Sequence, residues 1–405
     1  MVRNDPKARM SRRIGKRISR RELLHGSFIA GGMLVLGCNE VAWSKSTQVG
    51  VRDPFAGGRQ LGVVSFSQEA PVPIETPIGD GLDGRMYTDL SRLTPQIPVT
   101  SQESFYVRTR ASELLNEQDT WLVRLGGFGV KPVELSLAAL KQTSQPMGVH
   151  VMECAGNARS VHFGLMSAAE WSGVPLLQLL QSSKIEAQSK RILVSGFDTY
   201  PTKSTSSQPG ASWIFSWDDL NRARAFLATE MNGKPLTKDH GAPIRLIVPG
   251  WYGCACIKWA NEITLVDDGA EATSQMQEFA GRTQQAGVPK LVRDYKPARV
   301  EQAAMPTRIE KWIIDERIVY RVTGILWGGS RPVSTLQIRF NPEEDYLAVE
   351  SVQQKINDPW SFWTHTWSPK RPGTYLIRLR IKDPQIAATR LNAGYYLRSV
   401  EITEV

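Results

Sequence analysis

The reading of this chain turns on the stretch His150-Val151-Met152-Glu153-Cys154-Ala155-Gly156-Asn157-Ala158-Arg159. A thiolate is a soft metal ligand, and a glycine two residues later lets backbone amides come close to a bulky anionic group. Taken alone, the stretch favours a plainer account, because free cysteines are among the most buried residues and most are inert core fillers. The rest of the chain has to decide between the two.

A length of 405 residues, 41% hydrophobic and 22% charged, is ordinary globular composition with room for two or three domains. The formal net charge is +9, but residues 1–44 hold nine Lys or Arg against three acids, so most of the excess sits at the N-terminus. That argues against nucleic-acid binding, which needs a basic surface on the folded part. In the N-terminal region, Ser19-Arg20-Arg21-Glu22-Leu23-Leu24 followed by the Gly- and Ala-rich run Phe28 to Gly37 resembles a twin-arginine export signal. A periplasmic location is then expected. The run Leu34-Val35-Leu36-Gly37-Cys38 looks like a lipoprotein box with a bulky residue two before the cysteine, which leaves a lipid tether at Cys38 open. The other cysteines are Cys154, Cys254 and Cys256, too few for a disulfide framework. Cys254 and Cys256 lie in an apolar, strand-like run and read as packing residues rather than a zinc pair.

Residues 1–45 are thus expected to be a signal, and 46–95, rich in Pro, Gly and Asp, an extended arm. Residues 96–270 alternate short strands, such as Trp121 to Leu125 and Ile244 to Val248, with helical stretches such as Leu176 to Ser182. A polar linker over 271–305 then leads to 306–405, whose period-2 runs at Arg317 to Thr323, Thr335 to Phe340 and Thr374 to Lys382 predict an antiparallel β-sandwich. Trp327, Trp360, Trp363 and Trp367 read as core of that sandwich.

A second segment bears on the cysteine: Asp239-His240-Gly241-Ala242-Pro243-Ile244-Arg245, running through Val248-Pro249-Gly250-Trp251-Tyr252-Gly253 to Lys258-Trp259. His, Arg and Lys around a strand and a glycine turn offer several donors to one anionic ligand, a phosphate or a pterin, although a buried strand with ordinary turns fits as well. Together with Cys154-Ala155-Gly156-Asn157 and Glu230-Met231-Asn232-Gly233-Lys234-Pro235-Leu236, the chain resembles the sulfite oxidase family of molybdenum enzymes. The resemblance implies an α+β chain: a mixed α/β molybdopterin-binding domain followed by an immunoglobulin-like sandwich that forms a homodimer. It implies Cys154 as the protein ligand of molybdenum, and molybdopterin held by His240, Arg245, Gly253, Cys256 and Lys258, with Phe105, Tyr106, Arg108 and Arg110 at the same cofactor.

On the substrate side the resemblance implies Arg108, in Phe105-Tyr106-Val107-Arg108, and Arg159 as anion-binding residues, with Tyr295, in Asp294-Tyr295-Lys296, beside the metal. Two guanidinium groups suit a small oxo-anion such as sulfite. The chain departs from the family at Arg110, where a histidine is usual; that puts the pterin contact there in doubt while leaving Arg110 within reach of a phosphate. It departs again at Tyr200, where a carboxylate is common. The implied activity is oxidation of sulfite to sulfate. No Cys-x-x-Cys-His occurs, so no covalent haem is expected, and electrons would pass to an external cytochrome c or similar acceptor. A related molybdenum enzyme for another oxo-anion or a sulfoxide, and a non-catalytic subunit of a sulfur-oxidising complex, remain as alternatives.

Overall fold

Alternating burial builds the second half of the chain. In the strand Gly373–Ile381 every second residue, Tyr375, Ile377, Leu379 and Ile381, is buried while its neighbours face outward, as a sheet covered on one side requires. The computed structural model describes residues 53–405 apart from 116–119, 129, 186–190, 334 and 354–358. The basic leader, the Arg20-Arg21 pair and Cys38 lie outside the described residues.

Two antiparallel five-stranded sheets make the sandwich. One runs Arg59–Val64, Ala303–Ile314, Arg317–Trp327, Ser361–Trp367, Ser351–Gln353, and the other Leu347–Ala348, Leu336–Arg339, Gly373–Ile381, Arg398–Ile402, Phe66–Ser67. Between them Trp367 stacks on Phe340 with ring centroids 4.1 Å apart and meets Tyr375 edge-on at 4.9 Å. All four tryptophans of this region are buried. Residues 59–67 supply an outer strand to each sheet, pairing with Ala303–Ile314 and with Arg398–Ile402.

The middle of the chain forms two further sheets. In the first, Phe226–Met231 lies between Met166–Pro175 and the pair Lys234–Pro235 and Arg245–Ile247, and Gln145–Glu153 forms the far edge. The second is mixed, in the order Val133–Ser136, Leu122–Gly127, Ala260–Val266, Arg191–Gly196, Ser212–Ser216, with only Leu122–Gly127 and Ala260–Val266 parallel. Helices are short. Leu176–Ser182 buries Leu176, Leu179 and Leu180, the i, i+3, i+4 face of one helix.

Two expectations need correction. Residues 271–305 are not a bare linker: Thr273 caps the helix Ser274–Phe279 by accepting from Met276 N at 3.2 Å, and Met276 and Phe279, one turn apart, are buried. Asp53–Val405 is one compact unit. In addition, Cys254 and Cys256 lie at a 3-10 turn, Gly253–Ala255, rather than on a strand.

The extended segment after Phe66 is fastened by a buried ion pair. Arg398 donates from Nε and Nη2 to the two oxygens of Glu69, each at 2.7 Å, both side chains are almost wholly buried, and Arg398 also covers the Phe66 ring. Removing one partner strands a buried charge, so Glu69→Ala is expected to lower unfolding stability by about 3–5 kcal/mol in denaturant titrations. Breaking the exposed Arg124–Glu134 pair should leave the midpoint essentially unmoved.

Candidate functional site

Cys154 ends the strand Gln145–Glu153 and begins a tight turn. Asn157 N donates to Cys154 O at 2.9 Å, Cys154 N to Leu165 O at 2.9 Å, and Gly156 N points at Cys154 Sγ at 3.4 Å. Asn157, fully buried, accepts from Leu165 N at 3.1 Å through Oδ1 and donates to Glu153 Oε1 at 3.4 Å. Burial pushes the Cys154 thiol up, opposed by the Arg108 guanidinium, the Gly156 N–H and, more weakly, Arg282. A metal bound here would have to displace that proton.

Cys154 opens onto a cavity whose other walls come from the 105–109, 198–211, 239–245, 253–259 and 275–279 segments. Arg245 lies at one end. Its Nη1 donates to His240 O at 3.0 Å and its Nη2 to Cys256 O at 3.3 Å, while Nε is buried without a partner. No carboxylate pairs with it among the described residues. Lys258 Nζ donates to Asp239 O at 3.0 Å and to Thr109 O. Burial, then the like charge of Arg245, pulls Lys258 down to about 7. Among the described residues the Arg108 guanidinium bonds Ser207 alone, at 3.3 Å. Gly253 is needed where it stands, since a Cβ there would meet Tyr106 Oη at 2.5 Å.

The acids on this wall do not cancel these cations. Burial works against the charge of Asp239, but the Ala111 N–H and the Arg110 guanidinium outweigh it and hold the carboxyl below its usual range. Asp198 accepts from Ala211 N at 2.7 Å and from Gly210 N, and burial raises it to about 6.

Of the residues singled out from sequence, Phe105, Tyr106, Arg108, Cys154, His240, Arg245, Gly253, Cys256 and Lys258 all line this cavity. His240 does so with no free nitrogen: Nε2 faces Phe105 O at 3.0 Å and Nδ1 faces Thr237 Oγ1 at 2.7 Å. Phe105 O can only accept, so the proton sits on Nε2, and burial above all pulls the imidazole down to about 4, leaving it neutral. Three residues stand off the wall. Arg110 is committed to Asp239 at 3.0 Å and Asp80 at 2.9 Å, so its reach toward a phosphate is taken up by carboxylates. Arg159 sits on the 3-10 turn Arg159–Val161, and Tyr295 packs against the core with a buried hydroxyl that has no hydrogen-bond partner.

The structure adds residues that sequence reading passed over. Arg85 donates to Arg108 O at 2.5 Å and to Ser207 at 3.2 Å; burial, then Arg108, lowers it to about 10. From the short helix Thr389–Asn392 and the turn after it, Arg390 Nη2 donates to Ala155 O at 2.9 Å and Tyr395 donates to Asn157 O. Gln275, Glu278 and Phe279 form a wall of the cavity from a segment with no motif.

The donor set fits a molybdenum–pterin group. Among the described residues no cluster of three or more His, Cys, Asp or Glu is placed to hold a metal, so a metal at Cys154 needs further ligands from a cofactor. Arg245, buried with a free Nε and no carboxylate partner among the described residues, and the depressed Lys258 suit the phosphate of an anionic one.

Comparison with known proteins agrees. The oxidoreductase molybdopterin binding domain matches residues 111–274. Mitochondrial sulfite oxidase of Drosophila melanogaster is 26% identical over 322 residues, covering 73% of this chain and 54% of that protein. A nitrate reductase [NADPH] of Fusarium oxysporum is 24% identical over 357 residues, 75% of this chain and 37% of its own length. The chain therefore spans about half the sulfite oxidase and less of the nitrate reductase. Among solved structures, the sulfane dehydrogenase SoxCD from Paracoccus pantotrophus has the same fold, with a TM-score of 0.60 over 89% of this chain and 95% of that one, at 16% identity. Residues 111–274 thus carry an oxidoreductase molybdopterin binding domain, and the chain as a whole is similar to the sulfite oxidases in sequence and to a sulfane dehydrogenase in fold.

Proposed function

We propose that the protein oxidises sulfite: sulfite and water give sulfate, two protons and two electrons, the electrons leaving to an external acceptor such as cytochrome c. The observation that carries this reading is a buried cysteine beside a guanidinium, Arg108, that has no carboxylate partner among the described residues. When bound, the molybdenum cofactor supplies the two-electron redox couple. The chain's residues hold and orient. Cys154 gives its thiolate to the metal, Arg245 and Lys258 hold the phosphate end of the pterin, and neutral His240 braces the Phe105 backbone. Arg108, aimed by Ser207, binds the oxo-anion through charge-assisted hydrogen bonds. Export by the twin-arginine route, read from Ser19 to Leu24, suits an enzyme loaded with its cofactor before transport. The likeness to nitrate reductases supports a second reading, reduction of an oxo-anion.

The metal-loaded protein is expected to reduce cytochrome c when given sulfite. Full molybdenum occupancy with no such reduction, and with nitrate consumed on supply of electrons, would replace the first reading by the second. Cys154→Ala is expected to keep the pterin, read by its fluorescence after release, and to lose turnover; undiminished turnover would reject the ligand role.

Lys258 sets a pH dependence. Its value in the cofactor-free fold is depressed to about 7, so below that pH it is already charged, and above it anion binding must take up a proton. Affinity for molybdopterin therefore falls as pH rises through about 7. Lys258→Met is expected to weaken binding by on the order of tenfold below that pH, with a smaller effect above it, in calorimetric titrations of both proteins side by side.

A further inference from the structure

The turn after the helix Ser274–Phe279 carries an arginine that no motif singles out, Arg282. A side chain starting at Gly156 would meet Arg282 Nη1 at 3.4 Å and Cys154 Sγ at 3.9 Å, so the guanidinium and the thiol flank the same small space over the Cys154-Ala155-Gly156 turn. The backbone beneath it is fixed from two sides. Arg390 Nη2 donates to Arg282 O at 2.5 Å as well as to Ala155 O, spacing the two turns, and the buried hydroxyl of Thr283 donates to Phe279 O at 2.9 Å. The guanidinium itself makes no hydrogen bond or ion pair among the described residues. It lies over the Phe279 ring, 5.5 Å from the centroid, and Phe279 lines the cavity. Glu278, four residues earlier, also faces the cavity but does not pair with it.

An exposed arginine whose backbone is tied down, and whose charge is left free beside the metal-binding thiol, is placed to meet an incoming anion. We propose that Arg282 is a specificity-determining residue that binds the oxo-anion substrate over the Cys154-Ala155-Gly156 turn. The proposal rests on the reading of the site as one for a small oxo-anion, and it places a substrate contact in the polar stretch between the two halves of the chain.

The test uses the holoprotein and its Arg282→Gln and Arg282→Lys variants. Sulfate is titrated calorimetrically, and sulfite turnover is followed against ionic strength. Arg282→Gln is expected to weaken sulfate binding and raise KM for sulfite on the order of tenfold, with kcat nearly unchanged and a shallower loss of kcat/KM with salt; Arg282→Lys should recover much of the loss. Equal sulfate affinity in wild type and Arg282→Gln, or no sulfate binding by wild type, overturns the role of Arg282. Absence of sulfite turnover in wild type with sulfate binding still dependent on Arg282 overturns the sulfite reading and leaves the anion contact standing.

Discussion

The carboxylate of Glu153 is the constraint on which the site depends. It is fully buried next to Cys154, and a carboxylate so placed is costly unless its lone pairs are met. Three donors meet them: Trp327 Nε1 at 2.9 Å, Tyr396 Oη at 3.1 Å and Asn157 Nδ2 at 3.4 Å. Burial still pushes the Glu153 carboxyl up, the Trp327 N–H being the first of the contacts that oppose it. Two of the donors belong to the sandwich. With Arg390 on Ala155 O and Tyr395 on Asn157 O, the sandwich grips residues 153, 155 and 157 and so sets where the thiol of Cys154 points. These bonds tie the Cys154 turn to the sandwich within the one compact unit Asp53–Val405.

The opposite end of the cavity shows the reverse condition, charge left unmet. Arg245 is buried with an orphaned Nε, and Lys258 is pulled down by burial and by Arg245. A fold keeps such groups when something else returns the free energy, and an anionic cofactor bound only by the folded chain does that by mass action. An anion bound at these two groups would raise the stability of the folded chain.

Much of this was legible in sequence because it is local. His240, Arg245, Gly253 and Lys258 fall within twenty residues, and a strand followed by a turn brings them together; the helix Leu176–Ser182 and the sandwich strands follow from apolar spacing alone. The remainder was hidden by distance or by polarity. Nothing near Glu153 announces that Trp327 and Tyr396, from the other end of the chain, will be its partners. The wall at Gln275 and Phe279 lies in a stretch polar enough to pass for a linker, its only signals the Thr273 cap and the pair Met276 and Phe279. Arg110 reads as a cofactor contact by position, yet Asp80, too far away in sequence to be noticed, and Asp239 claim it.

This difference in range separates side chains placed by one local element from those assembled across the chain. His240, Arg245, Gly253 and Lys258 are brought together by a single strand and its flanking turns. The thiol's surroundings are assembled from residues 85 and 108, the 154–157 turn, the 282 turn and residue 390, which share no element and are linked by hydrogen bonds such as those of Arg390. A substitution in any one of these segments would reshape the space beside the thiol while leaving the strand and turns that carry Arg245 and Lys258 in place. Proteins as unlike as a sulfite oxidase and a nitrate reductase match this chain at nearly equal identity.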